Sequence, residues 1–277
     1  MTLIFFINLD KDADRRQSIE TQLSLAGLCG ERIAGINGRL LPEWAASYFP
    51  PSNLRPGEVG CYASHMLVWR AIVSRKLPYA LVLEDDVRIP PDFAGILDEI
   101  IRSLPPGWDF VHIAAPVKAR PFAFRPLETL RNGSRLVRYS RIPSSTEAYL
   151  ISASGAAKLL SAVPRTVPVD FDTRRPWKWG LDCYGIEPGP IGRTQRASTI
   201  GAIAGHSRLR RGVIGGVTYS LRSPASAVFN IRKLGLAWWT WCLAQNAAHK
   251  LVRAFLGWRL ANRLLPLGNN VETERKL

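Results

Sequence analysis

The sequence is poor in cysteine, and its cysteines form no recognisable pattern. Cys29, Cys61, Cys183 and Cys242 lie far apart in the chain, with no CxxC pair among them. This spacing indicates neither a zinc site nor a disulfide framework. We therefore expect a protein of a reducing compartment.

Long apolar runs are also missing. The longest uncharged stretch, residues 234–248, contains Gln245 and Asn246 and is shorter than the roughly 20 apolar residues of a membrane-spanning helix. The amino terminus has a short apolar run with no basic residue before it and acidic residues directly after it, unlike a secretory signal. These features predict neither a transmembrane helix nor a secretory leader.

Acidic residues are scarce, above all near the carboxyl terminus. The chain has 37 Lys and Arg against 22 Asp and Glu, and from Arg208 onward twelve basic residues stand against only Glu272 and Glu274. A hydrophobic content of 47% excludes wholesale disorder. The asymmetry predicts a globular body, residues 1–207, and a basic tail, residues 208–277, suited to phosphate-bearing surfaces such as anionic lipid or nucleic acid.

Apolar residues alternate between strand-like and helix-like patterns. Strands, of which the first and third read as buried on both faces, are predicted at 3–8, 32–36, 79–83, 109–114 and 147–152. Helical spacing predicts helices at 13–27, 57–75, 92–103 and 155–163. The alternation indicates an α/β fold with helices on both faces of one sheet.

Two segments have the composition of long loops. Residues 116–145 are rich in Arg, Pro and Ser, and residues 168–190 are rich in Pro, Gly and Trp. Between them, Ser154 is the expected N-cap of the helix at 155–163.

Three consecutive carboxylates, Glu84, Asp85 and Asp86, follow the second buried strand. Ligands of open α/β sheets bind at the carboxyl ends of strands, and hard oxygen ligands suit Mg²⁺ or Mn²⁺. A divalent ion bound here, with its remaining positions on a diphosphate, would neutralise a nucleotide leaving group. The alternative is an exposed acidic turn that caps the next helix, and the pattern alone leaves both open.

Five blocks of the sequence occur in a characteristic order: INLDKDADRR, LRPGEVGCYASHMLVW, YALVLEDDV, STEAYLISASGAAKLL and VPVDFD. Together they resemble glycosyltransferase family 25, which includes bacterial lipooligosaccharide galactosyltransferases and collagen galactosyltransferases. The resemblance extends over about residues 3–200. It implies a GT-A fold of the Rossmann type, a UDP-sugar donor, a divalent cation such as Mn²⁺ or Mg²⁺, and inversion at the anomeric carbon.

The resemblance also implies roles for particular residues. Asp86 would ligate the metal, and Glu84 would face the ribose or the ion. The residues expected near the donor nucleotide are Asn8, Leu9, Asp10, Arg15, Glu58, Ser64, His65, Glu84 and Asp85. For two of these residues a purely structural role stays open. Arg15 could form an ion pair with Asp10, and His65 could be a core residue, as histidines at the start of a helix commonly are.

An inverting transfer needs a carboxylate that deprotonates the acceptor hydroxyl. We predict Asp170 as this base, with Asp182, Asp172 and Glu147 as alternatives, each of which would serve equally as a loop cap or an ion-pair partner. Further candidates are Trp177 and Trp179 as an aromatic platform for the acceptor sugar, and His206 as an additional metal ligand.

The tail contains a Trp-rich, basic, amphipathic pattern. Leu251, Phe255, Trp258 and Leu265 share one helical face, and most basic residues lie off it. Such a helix is typical of a bilayer interface, whereas the alternative is a helix packed on the body. Nucleic acid is the less favoured partner, since no known binding motif accompanies the charge.

These observations lead to two hypotheses about function. The first is a metal-dependent transferase that moves a hexose, most simply galactose, from a UDP-sugar to a lipooligosaccharide or other lipid-linked saccharide acceptor. It would be a cytoplasmic protein, peripheral to the inner membrane. The second is a catalytically degenerate, basic membrane- or nucleic-acid-binding protein on a transferase scaffold.

Overall fold

The computed structural model describes residues 2–115, 123–194 and 223–264. The strands are β1 (Ile4–Asn8), β2 (Glu31–Ala34), β3 (Tyr79–Glu84), β4 (Val87–Arg88), β5 (Phe110–His112), β6 (Phe124–Thr129), β7 (Arg135–Tyr139), β8 (Ala148–Ser152), β9 (Cys183–Glu187) and β10 (Gly192–Arg193). The helices are α1 (Ala13–Leu25), α2 (Glu43–Ala46), α3 (Pro56–Ser74), α4 (Phe93–Ser103), α5 (Ala153–Leu159), α6 (Val169–Asp172), α7 (Pro176–Trp179), α8 (Pro224–Leu234) and α9 (Leu236–Leu264).

A large mixed sheet forms the centre of the molecule. Its strand order is β2-β1-β3-β8-β5-β9-β7-β6, with β8 and β7 antiparallel to their neighbours and the β2-β1-β3 and β5-β9 pairs parallel. The expected α/β class with a Rossmann-like sheet is confirmed. The prediction of a single sheet is incomplete, because β4, which directly follows the acidic turn, pairs with β10 in a separate two-stranded sheet.

Helices cover both faces of the large sheet, because its central strands alternate between two apolar cores. Leu81 and Leu83 of β3 pack with α1 and α4 on one face. Ala80 and Val82 pack with α3 and α5 on the other. All four of these side chains are fully buried, which explains the continuous apolar run in the sequence.

The structure corrects three of the predicted elements. Residues 116–145 are not one long loop, since β6 and β7 pair there as antiparallel strands, with a register shift after Pro126. Residues 168–190 include the buried strand β9 and two short helices. Ser152, and not Ser154, caps α5, because its hydroxyl oxygen accepts the Gly155 N–H at 3.0 Å.

The described part of the basic tail consists of two helices that contact the body. Arg125 of β6 donates to the Leu234 carbonyl at the end of α8 (2.9 Å), and the Ala123 N–H approaches the side-chain oxygen of Asn246 on α9 (3.5 Å). Within the described residues, no helix is long and apolar enough to cross a membrane. The boundary at residues 207/208 stays a prediction.

The close contact between α5 and β5 generates a first prediction. A Cβ at Gly155 would lie 2.3 Å from the Asp109 carbonyl oxygen, whereas a Cβ at Gly95 on α4 meets nothing within 4 Å. We expect Gly155→Ala to lower the free energy of unfolding by about 1–3 kcal/mol, because backbone must move. Gly95→Ala, the matched control, should raise it by about 0.5–1 kcal/mol. Urea unfolding measures both, and equal effects would contradict the α5 packing.

Candidate active site

A cavity of about 410 Å³ opens at the carboxyl ends of β1 and β3. This volume lies in the range of small-molecule sites, and the position is the one at which α/β sheets bind ligands. Its walls come from the β1–α1 loop, the segment after β2, the first turns of α3, the acidic turn and β10. The lining residues are Ile7, Leu9, Asp10, Lys11, Asp12, Arg15, Gly35, Ile36, Asn37, Gly38, Pro56, Gly57, Cys61, Ser64, His65, Glu84, Asp85, Asp86 and Arg193.

Asp85 faces α1 and is bound from two sides. Asn8 donates its side-chain N–H to one carboxylate oxygen (2.8 Å), and Arg15 donates to the other (3.1 Å). Burial raises the pKa of Asp85 despite these two donors, which act in the opposite direction. Arg15 therefore pairs with Asp85 rather than with Asp10, the partner considered from the sequence.

Asp86 is buried and bound by Arg193 of β10. The guanidinium approaches one Asp86 oxygen through Nη2 (2.9 Å) and Nε (3.2 Å), and its Nη1 lies 3.0 Å from Glu147. Thr194 fixes this arrangement by donating its N–H and its hydroxyl to the Asp86 carbonyl oxygen (2.8 and 2.9 Å). Arg193 is not predictable from the sequence, because a single arginine after a segment of Pro and Gly forms no recognisable motif.

Glu84 lies on the other side of the turn, against α3. His65 Nε2 is 3.4 Å from Oε1 of Glu84, and the Thr146 hydroxyl donates to the same oxygen (2.8 Å). Burial would raise the pKa of Glu84, but the hydrogen bonds from His65 and Thr146 and the positive charge of Arg193 together lower it. Glu84 is therefore ionised at neutral pH.

The orientation of His65 follows from two buried aromatic residues. The Trp69 indole donates to the Tyr149 hydroxyl oxygen (2.9 Å), and this hydroxyl lies 2.9 Å from Nδ1 of His65. Since Tyr149 accepts from Trp69, it is free to donate its own proton to Nδ1. The imidazole proton is then assigned to Nε2, which faces Glu84.

The first-strand residues meet the cavity in different ways. Leu9 and Asp10 line it, whereas Asn8 is buried beneath it. Arg32 of β2 donates to the side-chain and backbone oxygens of Asn8 (3.0 and 3.1 Å) and also pairs with Asp10. Asn8 thus positions Asp85, and the exposed carboxylate of Asp10, in the turn after β1, lines the cavity where a ligand could reach it.

The predicted residues of α3 separate into two groups. Ser64 and His65 line the cavity, and Ser64 accepts the Ile36 N–H (2.8 Å). Glu58 instead accepts the Arg55 N–H (2.9 Å) in the capping box that begins α3. The side chain of Glu58 therefore has a structural role and does not line this cavity, so the geometry does not support its predicted contact with the donor.

Two of the candidate bases, Asp170 and Asp172, lie on α6 but in different environments. Asp170 on α6 accepts from Ser144, and its charge contributes to raising the pKa of Cys61 in the cavity wall, after burial and the charge of Glu84. Asp172 is fully buried and bound by Tyr62 (3.0 Å), Arg175 and Lys178.

The structure does not bring Asp182 to the cavity. It precedes β9, a strand parallel to β5, and therefore lies at the opposite edge of the sheet from Glu84. There it is bound by Arg138 (2.6 Å) and Lys233 (2.9 Å), which lower its pKa against the effect of burial. Asp182 has the geometry of an ion pair between the sheet and α8, not of a base beside a donor.

The remaining sequence candidates also lie away from the cavity or outside the described residues. Trp179 is buried, with Arg165 over its ring at 4.3 Å, and Trp177 contacts Phe229 of α8 at 6.4 Å between ring centroids. Neither tryptophan lines the cavity. His206 lies outside the described residues.

Comparison with known proteins identifies the family. A family model described as "Glycosyltransferase family 25 (LPS biosynthesis protein)" matches residues 1–173. The chain belongs to glycosyltransferase family 25. The match contains the acidic turn, the cavity-lining part of α3 and Asp170, but it ends before Arg193.

Several curated proteins of family 25 are similar to this chain. Procollagen galactosyltransferase 2 from Homo sapiens is 31% identical over 188 residues, and a glycosyltransferase 25 family member from Aedes aegypti is 32% identical over 185 residues. Inactive glycosyltransferase 25 family member 3 from Homo sapiens is 30% identical over 184 residues. Each alignment covers 60% of this chain but only 29–30% of the relative, so the chain spans less than a third of their length.

In this family 25 chain, Glu147 is a carboxyl group whose ionisation the site disfavours. Burial and the neighbouring charge of Glu84 raise the pKa of Glu147 to about 7, although Arg193 acts in the opposite direction. Its second carboxylate oxygen has no hydrogen-bond partner within the described residues. The folded chain thus binds a proton here that the unfolded chain releases near pH 4.5.

This difference predicts a pH-dependent stability. A raised pKa in the folded state stabilises the fold below about pH 4.5, and the contribution is lost as pH rises to about 7. Over this interval the free energy of unfolding of the wild type should fall by roughly 3 kcal/mol because of Glu147, and Glu147→Gln should abolish this fall. Urea unfolding at several pH values measures both proteins. Glu128→Gln on the exposed edge of β6 is the control and should leave the profile unchanged. An identical slope in the Glu147 variant and the wild type would contradict the raised pKa.

Proposed function

We propose that the chain is a metal-dependent, inverting transferase that moves a hexose from a UDP-sugar to a saccharide acceptor. The observation that carries this proposal is the acidic turn Glu84–Asp85–Asp86, which opens into the cavity at the carboxyl ends of β1 and β3 in a family 25 chain. Several relatives are named procollagen galactosyltransferases, which supports galactose as the first sugar to test.

The nucleotide part of the donor fits the side of the cavity between the β1–α1 loop and the segment after β2. Lys11 and Arg15 provide positive charge there, and Gly35 and Gly38 expose backbone. We assign the diphosphate to the centre of the cavity, between Arg15 and Arg193. This assignment puts the cationic side chains beside the part of the donor that carries negative charge.

The carboxylates of the turn fit a hard divalent ion. One oxygen of Asp86 is bound by Arg193, but the other, Oδ1, is buried and has no hydrogen-bond partner among the described residues. Asp86 and Glu84 are the residues that would bind Mn²⁺ or Mg²⁺, which prefer such oxygens. When bound, the ion would stabilise the departing diphosphate. Arg193 would add a second positive charge from the protein.

Asp170 remains the proposed base. The acceptor hydroxyl would attack the anomeric carbon while its proton passes to Asp170, and the bond from that carbon to the UDP oxygen would break. Asp170 does not itself line the cavity, but α6 packs against α3, and the charge of Asp170 acts on Cys61, which does line it. Ser144, which donates to its carboxylate, would orient it.

A lipid-linked acceptor and a peripheral position at the cytoplasmic face of the inner membrane form the second part of the proposal. On α9, Trp241, Leu251 and Phe255 are 44%, 60% and 82% exposed, and they share one helical face. Cys242 and His249 are buried on the opposite face. One side of α9 therefore packs on the body while its exposed apolar side, in a basic segment, suits an anionic bilayer interface.

A degenerate transferase is the second candidate function, favoured by one specific comparison. A human relative named as inactive matches this chain about as well as those named as galactosyltransferases. The ion pairs of Arg193 and Arg15 with the acidic turn are compatible with such a scaffold. In that case the chain would bind an anionic partner without binding UDP.

The metal role predicts a specific loss in Asp86→Asn. Calorimetry should show UDP binding that requires Mn²⁺ in the wild type, and the variant should bind at least about tenfold more weakly, equivalent to about 1.4 kcal/mol. Asp98→Asn, on the exposed face of α4, is the matched control and should bind as the wild type does. Unchanged binding in a folded Asp86→Asn protein would remove the metal role, and absence of any UDP binding would favour the degenerate scaffold.

The membrane role predicts a loss of vesicle binding when the exposed face of α9 is made polar. Replacing Trp241, Leu251 and Phe255 together by Ser should reduce sedimentation with phosphatidylglycerol vesicles at least about tenfold, since a fully buried large apolar side chain contributes roughly 1.5–3 kcal/mol. The control replaces three exposed leucines elsewhere, Leu25, Leu40 and Leu127, by Ser. Equal sedimentation of both triple variants would contradict α9 as the lipid-contacting surface.

A further inference from the structure

Cys61, His65 and Glu84 present three different ligand atoms at one point of the cavity wall. Cys61 and His65 are four residues apart on α3, so their side chains share one helical face, and Glu84 ends the strand that faces it. The cysteine sulfur, a histidine nitrogen and a carboxylate oxygen all lie within 4.8 Å of one another. All three residues line the cavity.

We propose that these three residues form a binding site for a borderline-soft divalent ion, Zn²⁺, which shares Glu84 with the proposed Mn²⁺ or Mg²⁺ site but does not use Asp86. Thiolate, imidazole and carboxylate are the ligand types that Zn²⁺ accepts, and three protein ligands leave its fourth position open to the cavity. Mg²⁺ prefers oxygen ligands alone, so the cysteine selects against it. This site is not detectable from the spacing of the cysteines, because it contains only one cysteine. The other two ligands are a histidine on the same helix and a glutamate on a strand.

The surroundings of His65 are already suited to metal binding. Its ring is buried and oriented by the Tyr149 hydroxyl, which Trp69 fixes in turn. When Nε2 binds the ion, the imidazole proton moves to Nδ1 and is donated to the Tyr149 oxygen, the outer hydrogen bond that metal-bound histidines commonly make. Little side-chain ordering is then required on binding.

The charges of the site also favour an additional cation. Glu84, Asp86 and Glu147 lie close enough for their charges to act on one another, and the described cations near them include Arg193. On binding, the Cys61 thiol would release its proton to solvent, a sulfur–zinc bond would form, and the ion would take over the contact between His65 and Glu84. Because Glu84 is shared, Zn²⁺ should weaken manganese-dependent UDP binding, a consequence that rests on the proposed function.

Cobalt provides a direct test with the full chain. Co²⁺ in place of Zn²⁺ should give a near-ultraviolet thiolate-to-cobalt charge-transfer band, which Zn²⁺ abolishes by displacement. Cys61→Ser should lose this band, and Cys29→Ser, which alters an exposed cysteine, should keep it. Tyr149→Phe should weaken cobalt binding by roughly 10- to 100-fold while the band position is retained.

Two controls separate this site from the proposed donor site. Asp86→Asn should keep the cobalt band even where it loses manganese-dependent UDP binding, so failure of one proposal leaves the other measurable. In the wild-type chain, Zn²⁺ should protect Cys61 but not Cys29 from alkylation, as measured by peptide mass. This experiment tests the site even if the Cys61→Ser protein does not fold. No cobalt band in the wild type, a band that survives Cys61→Ser, or equal alkylation with and without Zn²⁺ would overturn the proposal.

Discussion

Buried carboxylates at one edge of the sheet are the constraint on which the site depends. Glu84, Asp86 and Glu147 are largely withdrawn from water, and each needs a donor or a positive charge to remain there. Arg193 supplies this charge to Asp86 and Glu147, and His65 donates to Glu84. The partners come from β10 and α3, which lie far apart in the sequence, so charge compensation brings together the elements that enclose the cavity.

Helix α3 joins the core to the cavity through its small residues. A Cβ at Gly60 would lie 2.4 Å from the Ile36 carbonyl oxygen, and one at Gly38 would lie 1.9 Å from the Pro56 carbonyl oxygen. Glycine is therefore required on both sides of this contact, where backbone meets backbone. Gly60 serves helix packing rather than the close approach of a ligand, and the segment it supports, residues 35–38, exposes its backbone to the cavity.

The sequence predicts those helices and strands whose own residues carry a clear apolar pattern. Strands β1 and β3 are continuous apolar runs, and α3 has helical spacing, so all three were found close to their observed bounds. The hairpin of β6 and β7 was missed because four of the six residues of β6 are exposed and one of them is a proline, which leaves no apolar pattern to detect. Strand β9 was missed because Gly185 and flanking turn residues resemble a loop, although all its residues are buried by neighbouring strands.

The sequence predicts a cavity residue most directly where the residue and the element that positions it lie in the same block. The acidic turn, His65 and Ser64 follow from their blocks. Thr146 and Tyr149 lie in the fourth block, but their contacts with Glu84 and His65, like that of Arg193 with Asp86, depend on how the strands are arranged, which no single block encodes. Asp182 illustrates the opposite case: a carboxylate in a loop-like segment is a plausible base from the sequence, but the direction of β9 places it away from the cavity.

Helix α9 shows why packing on the body and binding to lipid need not exclude each other. The face around Cys242 and Asn246 contacts the body, and the face that contains Trp241, Leu251 and Phe255 points away from it. A helix that only filled a core would have little reason to expose three large apolar side chains in this register. A helix that only bound lipid would have no reason to place a buried cysteine and a hydrogen-bonded asparagine opposite them. The two faces together describe a helix that packs on the body with one face and exposes large apolar side chains on the other.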